Sequence, residues 1–370
     1  MKRALVTCLA LLVGCSSDDR APVVRQYAVN LHQNYVDTGV KLQALRVAVE
    51  AFVAGPSAEG LVACQQAWLD ARPEFGEAEI SRFYNGPLDE AQGRMNEWPI
   101  DENFIDYTFG NPNAGIINDL ATYPQINEQV LAEATGNGGI ENLATGYHAI
   151  EFLLWGQRLD QTLGPGERPY TDYVDGGTAA NQGRRRIYLS TATSMLLSDM
   201  RSVTAQWELD DPGSYGTKFV ANSQEGLEDM VRGFSTMAIA ELRFERLGNP
   251  YVTKDRKDEE SCFSESTHLD LIANARGIEN VYLGRYHDLS GPSLSDLVKA
   301  KNPALDADMR QQLADIRAAI EAIPPPFDHA VLAPVGSDAN LKVEAAINSF
   351  SRFLDTFHSV AFELGVEPNL

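Results

Sequence analysis

The string Gly146-Tyr-His-Ala-Ile-Glu-Phe-Leu-Leu-Trp-Gly156 sets one imidazole and one carboxylate three positions apart in an otherwise apolar run. In a helix such positions lie nearly above one another, so His148 and Glu151 share a face and can reach the same ion or substrate atom. Burying a carboxylate among Ile150, Phe152, Leu153, Leu154 and Trp155 is costly unless a cation or a hydrogen-bond network accompanies it. The segment therefore predicts a helix carrying a polar pair in need of a partner.

The same helical spacing extends outward from this run. Leu31, Tyr35, Leu42, Leu45, Val49 and Phe52 form one apolar stripe, and Leu227, Met230, Val231, Phe234, Met237 and Leu242 another. Ile187, Leu196, Leu197, Met200, Val203 and Trp207 make a third, and Leu341, Ala345, Phe350, Phe353, Leu354 and Phe357 a last one. Strand-like alternation is scarce, and Gly-Pro breaks such as Gly55-Pro56, Gly110-Asn-Pro112 and Asp211-Pro-Gly213 divide the chain into helices of bundle length. The expected class is all-α. At 370 residues the chain suggests about two domains, with a boundary in the loop near Asp210 to Gly216, giving residues 27–210 and 211–370. Ala149-Ile-Glu-Phe-Leu-Leu-Trp-Gly156 is echoed by Gly277-Ile-Glu-Asn-Val-Tyr-Leu-Gly284, which equates Glu151 with Glu279 and puts Arg276 where His148 stands. The echo is compatible with an ancient duplication or with chance likeness between amphipathic helices.

Lys2 and Arg3 followed by the apolar run Ala4 to Val13 read as a secretory signal, too short for a permanent span. Leu12-Val-Gly-Cys15 resembles a bacterial lipobox, which implies a signal peptide over 1–14, lipidation at Cys15 and a tether over 15–26. By resemblance to bacterial lipoproteins, Ser16 after the Cys implies outer-membrane sorting, with the body facing the periplasm. That leaves Cys64 and Cys262, which an oxidising compartment would join as one disulfide or leave as two buried thiols. A net charge of -22 argues against a nucleic-acid partner, which needs clustered Lys and Arg.

Gly146-x-His-x-x-Glu151 resembles the signature of the imelysin family, also known as peptidase family M75. Further blocks agree: Ala67-Trp-Leu-Asp-Ala-Arg72, Asn96-Glu-Trp-Pro-Ile-Asp-Glu-Asn-Phe-Ile-Asp-Tyr107, Arg168-Pro-Tyr-Thr-Asp-Tyr173, Arg184-Arg-Arg186 and Ser261-Cys-Phe-Ser-Glu-Ser-Thr-His268. The resemblance implies an all-helical protein of two four-helix-bundle domains, linked to iron acquisition, with an outer-membrane iron receptor as a partner. One departure is that Glu259-Glu260 stands where the family often has a His before Ser-Cys-Phe-Ser. A carboxylate there could bind a cation, or the pair could be a solvated acidic loop.

His148 and Glu151 need one or two further ligands to hold a metal, and Glu77, Asp101 and Asp106 are the acidic candidates. Mixed imidazole and carboxylate ligation suits iron or zinc, free or as a metal-bearing chelate. A zinc-peptidase helix carries two His at i and i+4, and the second His is missing here, so binding is favoured over a metallopeptidase using the same pair. A non-catalytic structural or receptor-partner lipoprotein is the third reading. Ser264, His268, Asp270, Arg276 and Glu279 form a second polar cluster, explicable in part by helix capping. Glu241 and Glu245 beside Arg243 and Arg246 read as a salt-bridged helix face. Arg184 to Arg186 read as a bundle surface or as partners for buried carboxylates, with binding of an anionic carrier as the sharper alternative.

Overall fold

A computed structural model describes residues 18–158 and 164–367. The chain is all-α, and among the described residues the sole sheet pairs Arg285–Tyr286 with Leu289–Ser290. Ten principal helices, numbered in chain order, carry the fold: α1 Arg20–Ala54, α2 Ala58–Ala78, α3 Pro87–Met95, α4 Gly146–Trp155 and α5 Gln182–Gln206. Then follow α6 Ser223–Thr236, α7 Thr267–Leu283, α8 Pro303–Glu321, α9 Asp338–Ser349 and α10 Phe353–Leu364. Between α6 and α7, Met237–Gly248 winds as a π-helix. Its wide turn sets Arg246 over Glu241, five residues back, at 3.2 Å.

Helix α1 buries Val24, Leu31, Tyr35, Leu42, Leu45, Val49 and Phe52 on one stripe, as the spacing predicts. Gly55 breaks it, and Ser57 caps α2 by accepting from Gly60 N at 3.0 Å, which starts the next helix three residues later. α5 packs on α1, and α7 runs along α2. The α2–α7 approach is close because two glycines face it. A Cβ on Gly76 would lie 2.8 Å from Ala273 Cβ, and one on Gly277 would lie 2.4 Å from the Glu77 carbonyl. Beyond α7, Phe234, Phe353 and Phe357 stack with ring centroids 5.7 to 6.1 Å apart. Buried apolar residues from Val23 to Val366 form one connected core.

The leader, Cys15 and the first residues of the expected tether lie outside the described residues. Of the residues expected in that tether, Arg20 to Gln26 belong to α1, where Val23 and Val24 are buried, because an apolar pair there finds core to pack on. Cys64 and Cys262 are both free thiols, so the expected disulfide is absent. Cys64 lies within the core face of α2, where burial pushes its thiol up to about 12, and Cys262 instead lines a cavity beside α4. No described helix is long and apolar enough to cross a membrane.

Candidate metal centre

Helix α4 begins where only glycine fits. Gly146 has φ +90°, and a Cβ there would stand 2.7 Å from the Met95 carbonyl at the end of α3. Trp68 on α2 donates from Nε1 to the Tyr147 carbonyl at 3.0 Å, and the Tyr147 hydroxyl donates back to the Ala71 carbonyl at 3.2 Å. These bonds fix α4 against α2, and all ten of its residues are buried.

On that helix His148 is 2% exposed and Glu151 0%. His148 Nδ1 lies 2.9 Å from Glu151 Oε2. The other carboxylate oxygen accepts from Ser264 N at 2.8 Å and Ser264 Oγ at 2.7 Å. An ionised carboxylate can only accept, so Nδ1 carries a proton, and in the neutral imidazole Nε2 then presents its lone pair. Nε2 is buried with no hydrogen-bond partner. His148 lines a cavity of about 10 Å³ together with Trp98, Pro99, Ile100, Glu102, Lys257, Glu259, Glu260, Cys262 and Phe263. That is room for about one atom-sized guest. Carboxylate, imidazole and open nitrogen in line are the arrangement in which metal-binding His residues are commonly oriented.

Glu259 and Glu260 do not form a solvated acidic loop, since both are 3% exposed. They differ in how they are satisfied. Glu260 accepts from Arg72 Nη2 at 2.8 Å, Asn96 Nδ2 at 2.9 Å and Arg246 Nη1 at 2.5 Å. Among the described residues no side chain hydrogen-bonds to Glu259. Burial, and then the Asp328 charge, hold its carboxyl well above the usual range, while Arg158 and Arg256 pull the other way.

Beneath the cavity lies a closed ion network. Arg72 reaches Asp270 at 2.9 Å as well as Glu260, and Arg246 reaches Glu79 through two bonds of 2.9 Å. Asn274 adds a bond to Glu79 at 3.0 Å, and Ser261 one to Asp270 at 2.6 Å. Burial raises the Glu79 carboxyl, but the Arg246 guanidinium beside it wins and holds it well below its ordinary value. The Trp98 ring lies 4.8 Å from the Arg246 guanidinium and 6.0 Å from the His148 ring, which ties network and cavity together.

The expected ligand set is therefore split. His148 stays as the open donor, and Glu151 becomes the group that orients it. Asp106 is removed from the set: its oxygens are taken by Arg185 at 2.7 and 2.8 Å and by Arg168 at 2.8 Å. Asp101 caps the short helix Glu102–Ile105 by accepting from Asn103 N at 3.0 Å. Glu77 accepts from Asn280 Nδ2 at 3.1 Å on the far side of the α2–α7 contact. The second polar cluster also divides. Ser264 joins Glu151 and Asp270 joins Arg72, whereas Arg276 is exposed and Glu279 pairs with Arg317 at 3.0 Å and Arg285 at 3.1 Å. His268 stands apart, its Nδ1 unpartnered and its pKa lowered by burial. Arg246 is fully buried rather than part of a surface face. Arg184 donates to the carbonyls of Ile116, Ile117 and Tyr123, and Arg186 pairs with Asp175, which leaves the triple-Arg run little for an anion.

Among the described residues, the one set of three donors whose ligand atoms approach within 4.8 Å of one another is Glu265, Asp328 and His329. Arg158 bridges Glu265 and Asp328, and Arg256 also reaches Asp328 at 3.5 Å, so two guanidinium charges match the two carboxylates without an ion. Nothing in the local sequence marked this trio, because Asp328 lies 170 residues from Arg158.

The imelysin (peptidase M75) family model matches residues 31–355. The chain belongs to the imelysin family. It is 25% identical to iron-regulated protein A of Synechococcus elongatus over 334 residues, covering 87% of this chain and 81% of that protein. Two solved structures share the fold. An iron-regulated protein A precursor from Parabacteroides distasonis superposes with a TM-score of 0.73 at 22% identity, covering 94% of this chain and 95% of the other. An imelysin-like protein from Psychrobacter arcticum gives 0.66 at 14% identity, covering 95% and 98%. The imelysin signature thus forms α4, with its Gly starting the helix, its His facing the cavity and its Glu behind the ring.

Proposed function

We propose that this imelysin binds a transition-metal cation, iron or zinc, through His148 Nε2 with Glu259 as the adjoining carboxylate, in an iron-related role. The observation that carries the reading is the buried Nε2 of His148, which has no partner while its Nδ1 is pinned by Glu151. A buried nitrogen lone pair without a donor costs free energy, and a cation in the adjoining cavity removes that cost. Glu259 is suited to the same ion, since burial and the Asp328 charge push its carboxyl up and a cation beside it would favour the ionised form. The likeness to iron-regulated proteins supports iron as the metal.

Binding is favoured over hydrolysis because the second His of a zinc-peptidase helix is missing, Phe152 standing at i+4 from His148. The lipobox completes the proposal, in which Cys15 anchors the body to the bacterial envelope near an outer-membrane receptor for iron compounds.

The test is calorimetric titration of the soluble body with Zn²⁺ and Fe²⁺, beside His148→Ala and Glu151→Ala variants of verified fold. Wild type is expected to bind one ion and His148→Ala none. A wild type that binds neither metal overturns the proposal.

A further inference from the structure

The donors around His148 do not form a complete shell. No set of three ligand atoms within 4.8 Å of one another includes His148 among the described residues, while metal sites made by protein alone generally use three or four. An ion held there needs further ligands from outside the protein, whether water or a chelating molecule. What those ligands are can be read from the space next to the cavity.

The small cavity adjoins a larger cleft of about 760 Å³, and the two share Glu102, Lys257, Cys262 and Phe263 as walls. Its size falls in the range that encloses a small-molecule ligand. Its charge runs against the rest of the protein. In a chain of net charge -22, this cleft is lined by Arg158, Lys254, Arg256 and Lys257 against the carboxylates of Glu102 and Asp255. Arg158 reaches both Glu265 and Asp328, and Arg256 reaches Asp328 at 3.5 Å, so these two carboxylates offset the two guanidinium charges and leave Lys254 and Lys257 as the cleft's other cations. Lys254 is held by the Val331 carbonyl at 2.7 Å and stands 4.1 Å from the Tyr251 ring. The Lys257 ammonium is the least compensated, 63% exposed and 3.9 Å from Glu102. A bare cation has no use for such a wall, and an anion would be turned away by most of the remaining surface.

We propose that the metal reaches His148 as an anionic, carboxylate-rich chelate docked in the Arg158, Lys254, Arg256 and Lys257 cleft. The inference rests on the metal-binding reading above. The cleft holds the organic ligand, whose oxygens supply the coordination that the protein lacks, and the atom-sized cavity admits the ion to Nε2. No bond beyond coordination is made or broken. Loss of the lysines should weaken chelate binding and leave affinity for a bare ion no lower, since removing a nearby positive charge favours a cation.

The experiment titrates full-length mature protein in detergent with three probes, ferric citrate, Zn²⁺ and citrate alone, at two salt concentrations. The proteins are wild type, Lys257→Gln, Lys254→Gln/Lys257→Gln and His148→Ala. Ferric citrate affinity is expected to fall about tenfold in the double variant, on the order of what two partly exposed ion contacts supply, and to weaken with salt. The single variant, at a side chain that is 63% exposed, should show part of the loss with an unchanged melting temperature. Zn²⁺ should bind the lysine variants no more weakly than wild type. Wild type that binds Zn²⁺ but not ferric citrate overturns the chelate inference alone, as does ferric citrate binding indifferent to both lysines. Absence of binding with Zn²⁺ and ferric citrate alike overturns the metal reading and this inference with it. Citrate alone binding as tightly as ferric citrate would show an anion site unconnected to the metal and would also overturn it.

Discussion

Replacing Glu151 by Gln separates a carboxylate that orients His148 from one that binds the ion. In the wild type Oε2 faces Nδ1 at 2.9 Å while Oε1 accepts from Ser264 N at 2.8 Å and Oγ at 2.7 Å. A carboxamide offers an oxygen on one side and an NH₂ on the other. If the oxygen keeps Ser264, the NH₂ faces Nδ1, the ring proton moves to Nε2 and the lone pair meant for the metal is lost. With the amide turned over, the NH₂ meets the Ser264 N–H, and a buried donor is left without an acceptor at a cost of about 1–3 kcal/mol. Either outcome should weaken zinc binding about 10- to 100-fold, the range for loss of a ligand's outer partner, or roughly 1.4–2.7 kcal/mol. Calorimetry reads the affinity, and ¹⁵N NMR of the ring reads which nitrogen is protonated. Loss of binding as complete as in His148→Ala would make Glu151 a ligand and refute the argument. Wild-type affinity with an unchanged ring spectrum would refute it from the other side.

Arg72→Ala should cost about 3–5 kcal/mol in urea denaturation, because it leaves the buried Glu260 and Asp270 carboxylates short of their cation; a loss under 1 kcal/mol would show the network to be slack. Asp106→Ala should cost a similar amount by stranding Arg168 and Arg185 while zinc affinity holds, and a parallel loss of zinc would return Asp106 to the ligand set. Gly146→Ala forces a side chain into φ +90° and onto the Met95 carbonyl, so thermal melts should report about 1–3 kcal/mol of destabilisation. Burial raises the Asp229 carboxyl from 3.8 to about 6 against the pull of Arg232. Its contribution to stability is full below pH 3.8 and is lost as pH rises through about 6. Asp229→Asn should therefore gain on wild type by about 1 kcal/mol between pH 4 and 7, after allowing for solvent screening, and a gap that stays constant with pH would contradict this.

How much of this was legible in the sequence depends on the range of the interaction. The helices were, because a buried stripe repeats every three or four residues, although Ile187 and Leu341 share that spacing and are exposed at the ends of their stripes. The His148–Glu151 pair was also legible, being three residues apart on one helix. Its completion by Ser264 lies 113 residues away, and Arg72 and Asp270 are 198 apart. No local period encodes such pairings. The misreading of Asp106 shows the deeper limit. Burial demands that a carboxylate meet a positive charge, but the demand is the same whether a guanidinium or a metal ion answers it, and sequence alone does not say which. The structure separates the two by asking what remains unfilled. Asp106 and Glu260 have their oxygens occupied by Arg, and Glu151 by His148 and Ser264. The Nε2 of His148 is not so occupied, and His148 lines one cavity with Glu259. An unpartnered buried nitrogen, more than the presence of acidic residues, is what points to the ion.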